Sequence, residues 1–180
     1  MTPQKRRGRP WLQGVGLAVV LALSVLLYTQ RAEVQALRGY GYVGLFFFAL
    51  LTSASVILPM PGLVLPYVLG GVLNPWGVAL AAGSGAALGE LTGYLAGWSG
   101  KAFIEDDRRY DQVRAWMQRY GAGTIFVLAY LPLPLMDLAG IVAGATRMPL
   151  SRFLFWCWLG KVLKMLTVAF LGALSLPLTP

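Results

Sequence analysis

The sequence predicts an all-α integral membrane protein, with about four transmembrane helices and two re-entrant helical hairpins arranged as an inverted repeat. Of its 180 residues, 57% are hydrophobic and 12% are charged, which is about half the charged share of a soluble domain. Uncharged apolar runs long enough to cross a bilayer recur along the chain. Two further apolar stretches contain Pro-x-Pro and therefore do not read as single regular helices.

The amino-terminal segment combines a basic tail with an apolar run. Four of residues 1–10 are basic, and residues 11–28 carry no charge. Positive charge beside a first membrane helix favours the cytoplasmic side, and no small-x-small cleavage site follows the run. We therefore expect a cytoplasmic tail over 1–10, a retained transmembrane helix and its link over 11–38, and the main membrane domain over 39–176.

The composition argues against an enzyme with a bound cofactor. The chain has no histidine and one cysteine, Cys157, which excludes a disulfide framework within the chain, the usual zinc sites and a Ser-His-Asp triad. The net charge of +8 is scattered and shows no basic stripe interleaved with aromatic residues. We predict no enzymatic activity, no metal, no cofactor and no nucleic-acid partner.

The two Pro-x-Pro stretches resemble each other. Each continues with a glycine about ten residues later and a proline that begins a long helix. The matching tetrapeptides, 73 residues apart, are Leu58-Pro59-Met60-Pro61 and Leu131-Pro132-Leu133-Pro134. Broken apolar backbone at membrane depth must be covered by protein or line a cavity. We therefore predict re-entrant hairpins over Pro59–Gly71 and Pro132–Gly144, with an interfacial loop as the alternative.

The expected topology follows from these segments. Residues 11–28 cross outward, 39–58 cross back and 76–98 cross outward again, so that the two hairpins enter from opposite faces. Both termini are then expected in the cytoplasm. Many transporters place their binding site where such broken segments meet near the midplane.

Two helices have distinctive faces. Residues 76–98 are predicted as one long helix with a stripe of small residues that lets another helix approach closely; it comprises Gly85, Gly89, Gly93 and Gly97, with Tyr94 beside it. Residues 101–120 form a polar stretch with a short amphipathic helix. Its apolar face, formed by Val113, Trp116, Met117 and Tyr120, is expected on the membrane surface.

Four charged residues lie within apolar segments: Glu90, Asp137, Lys161 and Lys164. Charge at membrane depth costs a few kcal/mol, so that such residues are functional candidates. Two interpretations stay open. The lysines attract a phosphate headgroup while the acids balance or titrate, or the acids and lysines simply pair inside the bundle.

These residues resemble the DedA family, also called the VTT or SNARE-associated Golgi protein family, over about residues 40–170. The resemblance rests on the small-residue helix ending in Tyr94-Leu-Ala-Gly97, the Pro132-x-Pro134 segment with its Ala-Gly pair, and Arg152-Phe153 leading to Gly160-Lys161-x-x-Lys164. The sequence departs from the family pattern at Ala129, where many members carry arginine, and at Leu63, where many carry an acid.

The resemblance implies two facing re-entrant hairpins and a function in a cell or inner membrane. It implies transport or scrambling of a phosphate-bearing lipid, such as a phospholipid or undecaprenyl phosphate, with membrane lipids and protons as partners. The site residues are then Glu90, Asp137, Lys161, Lys164 and the prolines of the two Pro-x-Pro stretches. A proton- or ion-coupled transporter of a small solute and a non-transporting scaffold are the alternatives, and the oligomeric state is left open.

Overall fold

The computed structural model describes residues 38–54, 61–100, 108–131 and 136–175. The elements in this part of the chain are all helices: α1 Arg38–Ala54, α2 Pro61–Gly70, α3 Pro75–Gly89, α4 Leu91–Trp98, α5 Arg108–Tyr120, α6 Gly123–Tyr130, α7 Met136–Ala145 and α8 Leu150–Ser175. The all-α prediction is confirmed for these residues. The predicted tail and first transmembrane helix lie outside them, as do Pro59, Pro132 and Pro134.

Local sequence explains where two of these helices begin and end. Asn74 caps α3, because its side-chain Oδ1 accepts a hydrogen bond from the Trp76 N–H at 2.9 Å and Pro75 occupies the first helical position. After α7, Arg147 adopts a left-handed backbone with φ 55°. The Met148 N–H then donates to the Ala143 carbonyl at 3.0 Å, which is the Schellman arrangement that ends many helices.

The predicted long helix over 76–98 is interrupted once, at Glu90. The Glu90 backbone stays close to helical, with φ −67° and ψ −12°. Its N–H donates to the Ala86 carbonyl at 3.3 Å, and its carbonyl accepts from the Tyr94 N–H at 3.1 Å. The chain therefore continues from α3 into α4, and the departure from the prediction is confined to one residue.

The first half of the bundle contains a helical hairpin made of α1 and α2. Helices α1 and α3 run parallel, because Tyr42 lies beside Gly77 and Leu50 lies beside Gly89. Helix α2 returns to the start of α1, where the Asn74 N–H donates to the Tyr42 hydroxyl at 3.2 Å. The two arms are therefore antiparallel, and residues 55–60 join them.

The second half contains the corresponding hairpin made of α6 and α7. Helix α6 follows α5 directly and is tied to it by the Thr124 hydroxyl, which donates to the Trp116 carbonyl at 2.9 Å. Helix α7 begins with the Asp137 backbone beside Gly93 and ends with Gly144 beside Trp98. Residues 132–135 join the two arms.

The two hairpins open at opposite ends of the bundle. At the Asn74 end, Tyr67 and Ser175 share a hydrogen bond of 2.6 Å between their hydroxyls. At the Arg147 end, the Arg147 guanidinium lies 5.0 Å from the centre of the Trp98 ring, and the Tyr94 hydroxyl donates to the Met148 carbonyl at 2.6 Å. The hairpin α1–α2 opens at the Asn74 end, and α6–α7 opens at the Arg147 end.

The two halves make reciprocal contacts. In each half, the returning arm of the hairpin lies against the long helix of the other half, with glycine at the points of closest approach. The contact of Gly70 with Ala169 corresponds to that of Gly144 with Tyr94. The contact of Tyr67 with Gly172 corresponds to that of Ile141 with Gly97. Each residue of the first half has its counterpart 74 or 75 positions later. Reciprocal contacts of this kind are what a two-fold relation produces.

The predicted boundaries of the hairpins were wrong. The ranges 59–71 and 132–144 contain one arm each, and the helix that precedes each range supplies the other arm. Of the four prolines of the Pro-x-Pro stretches, Pro61 lies in the described residues and begins α2. Pro66 and Gly140 did not mark breaks, because they lie inside α2 and α7.

Part of the predicted crossing over 39–58 lies in the described residues, where residues 38–54 form α1, one arm of the first hairpin. The crossing itself stays a prediction. The start of α1 and the end of α8 both lie at the Asn74 end. The expectation that both termini lie in the cytoplasm stays a prediction.

Helix α5 packs by only part of its apolar face. Val113 and Met117 are buried in a core cluster with Phe153, whereas Trp116 and Tyr120 are exposed. The predicted common face is therefore divided, because the apolar stripe is wider than the surface that covers it.

Helix α8 is, among the described residues, the one helix long and apolar enough to cross a bilayer. Only 28% of its most apolar 18-residue window is buried, whereas a core helix of a soluble protein is mostly buried. Its outward residues include the large apolar side chains Phe155, Leu163, Leu171 and Leu174.

Candidate functional site

The centre of the candidate site is an ion pair between Glu90 and Lys161. The Lys161 Nζ lies 2.6 Å from the Glu90 Oε1, and the two side chains are 8% and 4% exposed. The pair joins the junction of α3 and α4 to the middle of α8. A buried pair of this kind removes two charges from solvent at high cost, which only close contact offsets.

The pair lies deep within the bundle. Lys161 is eleven residues from the start of α8, or about 16 Å along a helix of about 39 Å in total. Neither end of α8 is within reach of the Lys161 ammonium group. Of the two interpretations of the charged residues, pairing of an acid with a lysine inside the bundle is confirmed for Glu90 and Lys161.

Lys164 and Asp137 flank this pair. Lys164 lies three residues after Lys161 and is half-buried, and its charge interacts with those of Lys161 and Glu90. Asp137 is half-buried in the first turn of α7, and its charge interacts with those of Glu90 and Lys161. Within the described residues, neither side chain has a hydrogen bond or a salt bridge. The cluster therefore holds one closed pair and two charges able to accept other partners.

Close helix contacts hold the cluster in place. Gly140 of α7 lies against the backbone of α4 at Glu90, and Gly83 of α3 lies against Val162 of α8. The indole N–H of Trp158 donates to the Ser84 hydroxyl at 2.9 Å, one turn from the pair. This last hydrogen bond was not predicted, since neither residue is charged and nothing in the sequence indicates that they meet.

The glycine stripe contacts two different helices. Gly85 and Gly89 lie against the backbone of α1, whereas Gly93 and Gly97 lie against α7. Tyr94 is buried, stacks on Phe153 with ring centres 5.1 Å apart, and donates its hydroxyl to the turn before α8. Pro61 is the first residue of α2; the other three prolines assigned to the site lie outside the described residues.

Sequence reasoning missed an apolar groove between α5 and α6. Its volume is about 620 Å³, and its lining consists of Trp116, Tyr120, Gly123, Thr124, Val127, Leu128 and Leu131. None of the four charged residues of the cluster (Glu90, Asp137, Lys161 and Lys164) lines the groove. In the sequence, the only indication of the groove was the pair Trp116 and Tyr120, which was interpreted as part of one apolar face of α5.

A comparison with known families matches residues 59–174 to the VTT domain. The chain belongs to the VTT-domain family, also called the DedA family. The match covers α2 to nearly the end of α8, and so includes both members of the ion pair and both returning hairpin arms. No solved structure matches the chain.

Curated relatives are membrane proteins of bacteria and plants. A membrane protein of Synechocystis, slr0232, is 34% identical over 133 residues, which cover 66% of this chain and 60% of the relative. The inner membrane protein YqaA of Escherichia coli is 33% identical over 57% of this chain and 70% of its own length. The vacuole membrane protein KMS2 of Arabidopsis thaliana is 35% identical over 47% of this chain and 25% of its own.

These findings identify the chain as a membrane protein of the VTT-domain family. The chain matches about three fifths of the slr0232 sequence and a quarter of KMS2. The structure adds the ion pair that joins the two halves.

The ion pair predicts a specific pattern of stabilities. Changing Lys161→Met strands the Glu90 carboxylate in the bundle and should lower the free energy of unfolding by about 3–5 kcal/mol. The double variant Glu90→Gln/Lys161→Met should recover most of that loss, because no charge is left unpaired. Thermal unfolding in detergent measures both, and Lys164→Met, which breaks no salt bridge, is the control. A Lys161→Met protein as stable as the unmodified chain contradicts the pairing.

Proposed function

We propose that this VTT-domain protein moves a phosphate-bearing lipid between the two leaflets of its membrane. The observation that carries the proposal is Lys164, a half-buried cation beside a closed ion pair and without a hydrogen-bond or salt-bridge partner among the described residues. A lysine ammonium group at membrane depth attracts phosphate as a compact point charge. The Glu90 carboxylate compensates the charge of Lys161, and the Lys164 ammonium group stays available to the headgroup.

The hairpins support a path to this lysine from both sides. The returning arms α2 and α7 have ten residues each, or about 15 Å, which is half the roughly 30 Å of bilayer hydrocarbon. We propose that both hairpins are re-entrant: α1 ends beside Gly89 and α6 ends beside Gly160, so both arms reach the level of Glu90 and Lys161. Hairpins that open at opposite ends would form an inverted repeat, the arrangement that places a transporter's site near the midplane.

The distribution of arginine gives the proposed orientation. Six of the described arginines lie at the Arg147 end, on α5 and around the start of α8, against Arg38 at the Asn74 end. Cytoplasmic loops carry the excess of lysine and arginine. We therefore assign the Arg147 end to the cytoplasm and the end of α8 to the opposite side. A crossing by residues 11–28 then leaves the basic tail in the cytoplasm as well.

A second candidate, a proton-coupled transporter of a small solute, is favoured by Asp137. This carboxylate is half-buried and close enough to Glu90 and Lys161 for their charges to interact. Proton-coupled transporters use membrane-embedded acids in this way. The lipid proposal is preferred because the described cluster offers a lysine as well as an acid, and the reciprocal hairpins open at both ends. A non-transporting scaffold would not require Lys164, a half-buried lysine that has no hydrogen-bond or salt-bridge partner among the described residues.

The lipid proposal predicts separable effects on transport and stability. In liposomes, Lys164→Gln should slow the movement of a labelled anionic phospholipid between leaflets by roughly 10–100-fold, the worth of one charged hydrogen bond. Its thermal stability should stay close to that of the unmodified chain, because no ion pair is lost. Lys164→Arg, which keeps the charge, and Thr167→Val, one turn further along α8, are the matched controls.

Unchanged lipid movement by a folded Lys164→Gln protein would refute the role of this lysine. If the unmodified chain moves no lipid but transfers protons into the liposomes, the solute transporter becomes the better description. If it moves neither, the scaffold does.

The proposed orientation predicts which engineered thiols react from each side. Gln118→Cys, exposed on α5, should react with an impermeant maleimide only from the cytoplasmic side, and Ser175→Cys only from the opposite side. Cys157 is fully buried and should contribute no background. Reaction of both thiols from one side contradicts the assignment.

A further inference from the structure

The groove between α5 and α6 has the dimensions of one leaflet. Helix α6 rises about 12 Å over its eight residues, and the groove continues from Tyr120 before it to Leu131 after it. That length is close to half of the roughly 30 Å hydrocarbon core. Its volume of about 620 Å³ lies within the range of pockets that bury small ligands.

The lining of the groove suits an apolar chain. Val127 and Leu131 are half-exposed or nearly so, and Leu128 closes the floor. The Thr124 hydroxyl, which also lines the groove, donates to the Trp116 carbonyl and so has no free proton to offer a ligand. A hydrocarbon chain entering this groove therefore leaves the Thr124 hydroxyl with its partner.

The mouth of the groove is basic and aromatic. Trp116 and Tyr120 are exposed there, as aromatic residues at a membrane interface commonly are. The Arg119 guanidinium lies 5.3 Å from the centre of the Tyr120 ring, which keeps it beside the mouth. Arginine recognises phosphate through paired hydrogen bonds. Over its whole length α5 carries four arginines and one aspartate, so that the local charge complements an anionic headgroup.

We infer that this groove binds one acyl chain of an anionic phospholipid from the leaflet at the Arg147 end, with the phosphate at Arg119. One end of the groove, at Leu131, lies at the end of α6, and the preceding Tyr130 lies beside Gly160, next to Lys161. A lipid held there lies in the leaflet from which the proposed movement toward the charged cluster starts. This connection to transport rests on the proposed function, whereas binding in the groove does not.

Gly123 provides a way to fill the groove without disturbing the fold. It lines the groove, and a Cβ added to it meets no atom within 4 Å. Gly44 on α1 is equally open, and α1 packs against α2, α3 and α4 rather than against α5 or α6. Gly123→Phe is therefore the blocking variant, and Gly44→Phe is its matched control.

The experiment uses the full chain in vesicles that contain phosphatidylglycerol with a photoreactive acyl chain, and maps the labelled peptides by mass spectrometry. The peptide containing α6 should be labelled more strongly than other lipid-facing helices. Gly123→Phe should reduce its labelling to the level of those helices, and Gly44→Phe should leave it unchanged. Unlabelled phosphatidylglycerol should compete about tenfold better than phosphatidylcholine, and Arg119→Gln should remove that difference.

Three results overturn the inference. The first is equal labelling of α6 and the other lipid-facing helices. The second is labelling that Gly123→Phe does not reduce although the variant is folded. The third is a cross-link from a photoreactive residue at position 127 to residues 11–28, which assigns the groove to the chain's own segment. None of these results depends on transport, so a failed transport assay leaves the binding result readable.

Discussion

The ion pair between Glu90 and Lys161 is the interaction on which the rest of this structure depends. It lies about 16 Å along α8, and both side chains are buried. Each partner alone is a buried charge that costs several kcal/mol. Because Glu90 stands at the junction of α3 and α4, the pair fixes the position of α8 against both. Any movement of one half against the other must either preserve this contact or replace one of its partners.

The glycines explain how two helices approach closely enough to make such a pair. Gly83 admits Val162, and Gly140 admits the backbone at Glu90. A side chain at Gly83 would meet the Val162 backbone and push α8 away, whereas a Cβ at Gly140 would make ordinary contact with the neighbouring backbone. The same solution recurs where the returning arms cross the long helices, at Gly70 and Gly144. The hairpins are thus held by backbone contact with the long helices of the opposite halves.

Sequence reasoning found the charged residues but did not predict which of them form an ion pair. Glu90 and Lys161 were evident as charges in apolar runs, yet only the crossing of α3 with α8 decides that they pair and that Lys164 does not. The hairpin boundaries failed for a related reason. Each hairpin was predicted to start at its Pro-x-Pro stretch, whereas the preceding helix supplies the first arm. That pairing is set by contacts such as Tyr42 with Asn74, which no local pattern encodes.

The most direct test of this account is the distance between Lys161 and Glu90 in a lipid bilayer. Solid-state NMR on the chain in liposomes, with ¹⁵N in lysine and ¹³C in glutamate, should show a short-range contact between a lysine Nζ and a glutamate carboxyl carbon. The contact should disappear in Lys161→Met and persist in Lys164→Met. Absence of the contact in the unmodified chain, or its persistence in Lys161→Met, would contradict the central role assigned to this pair.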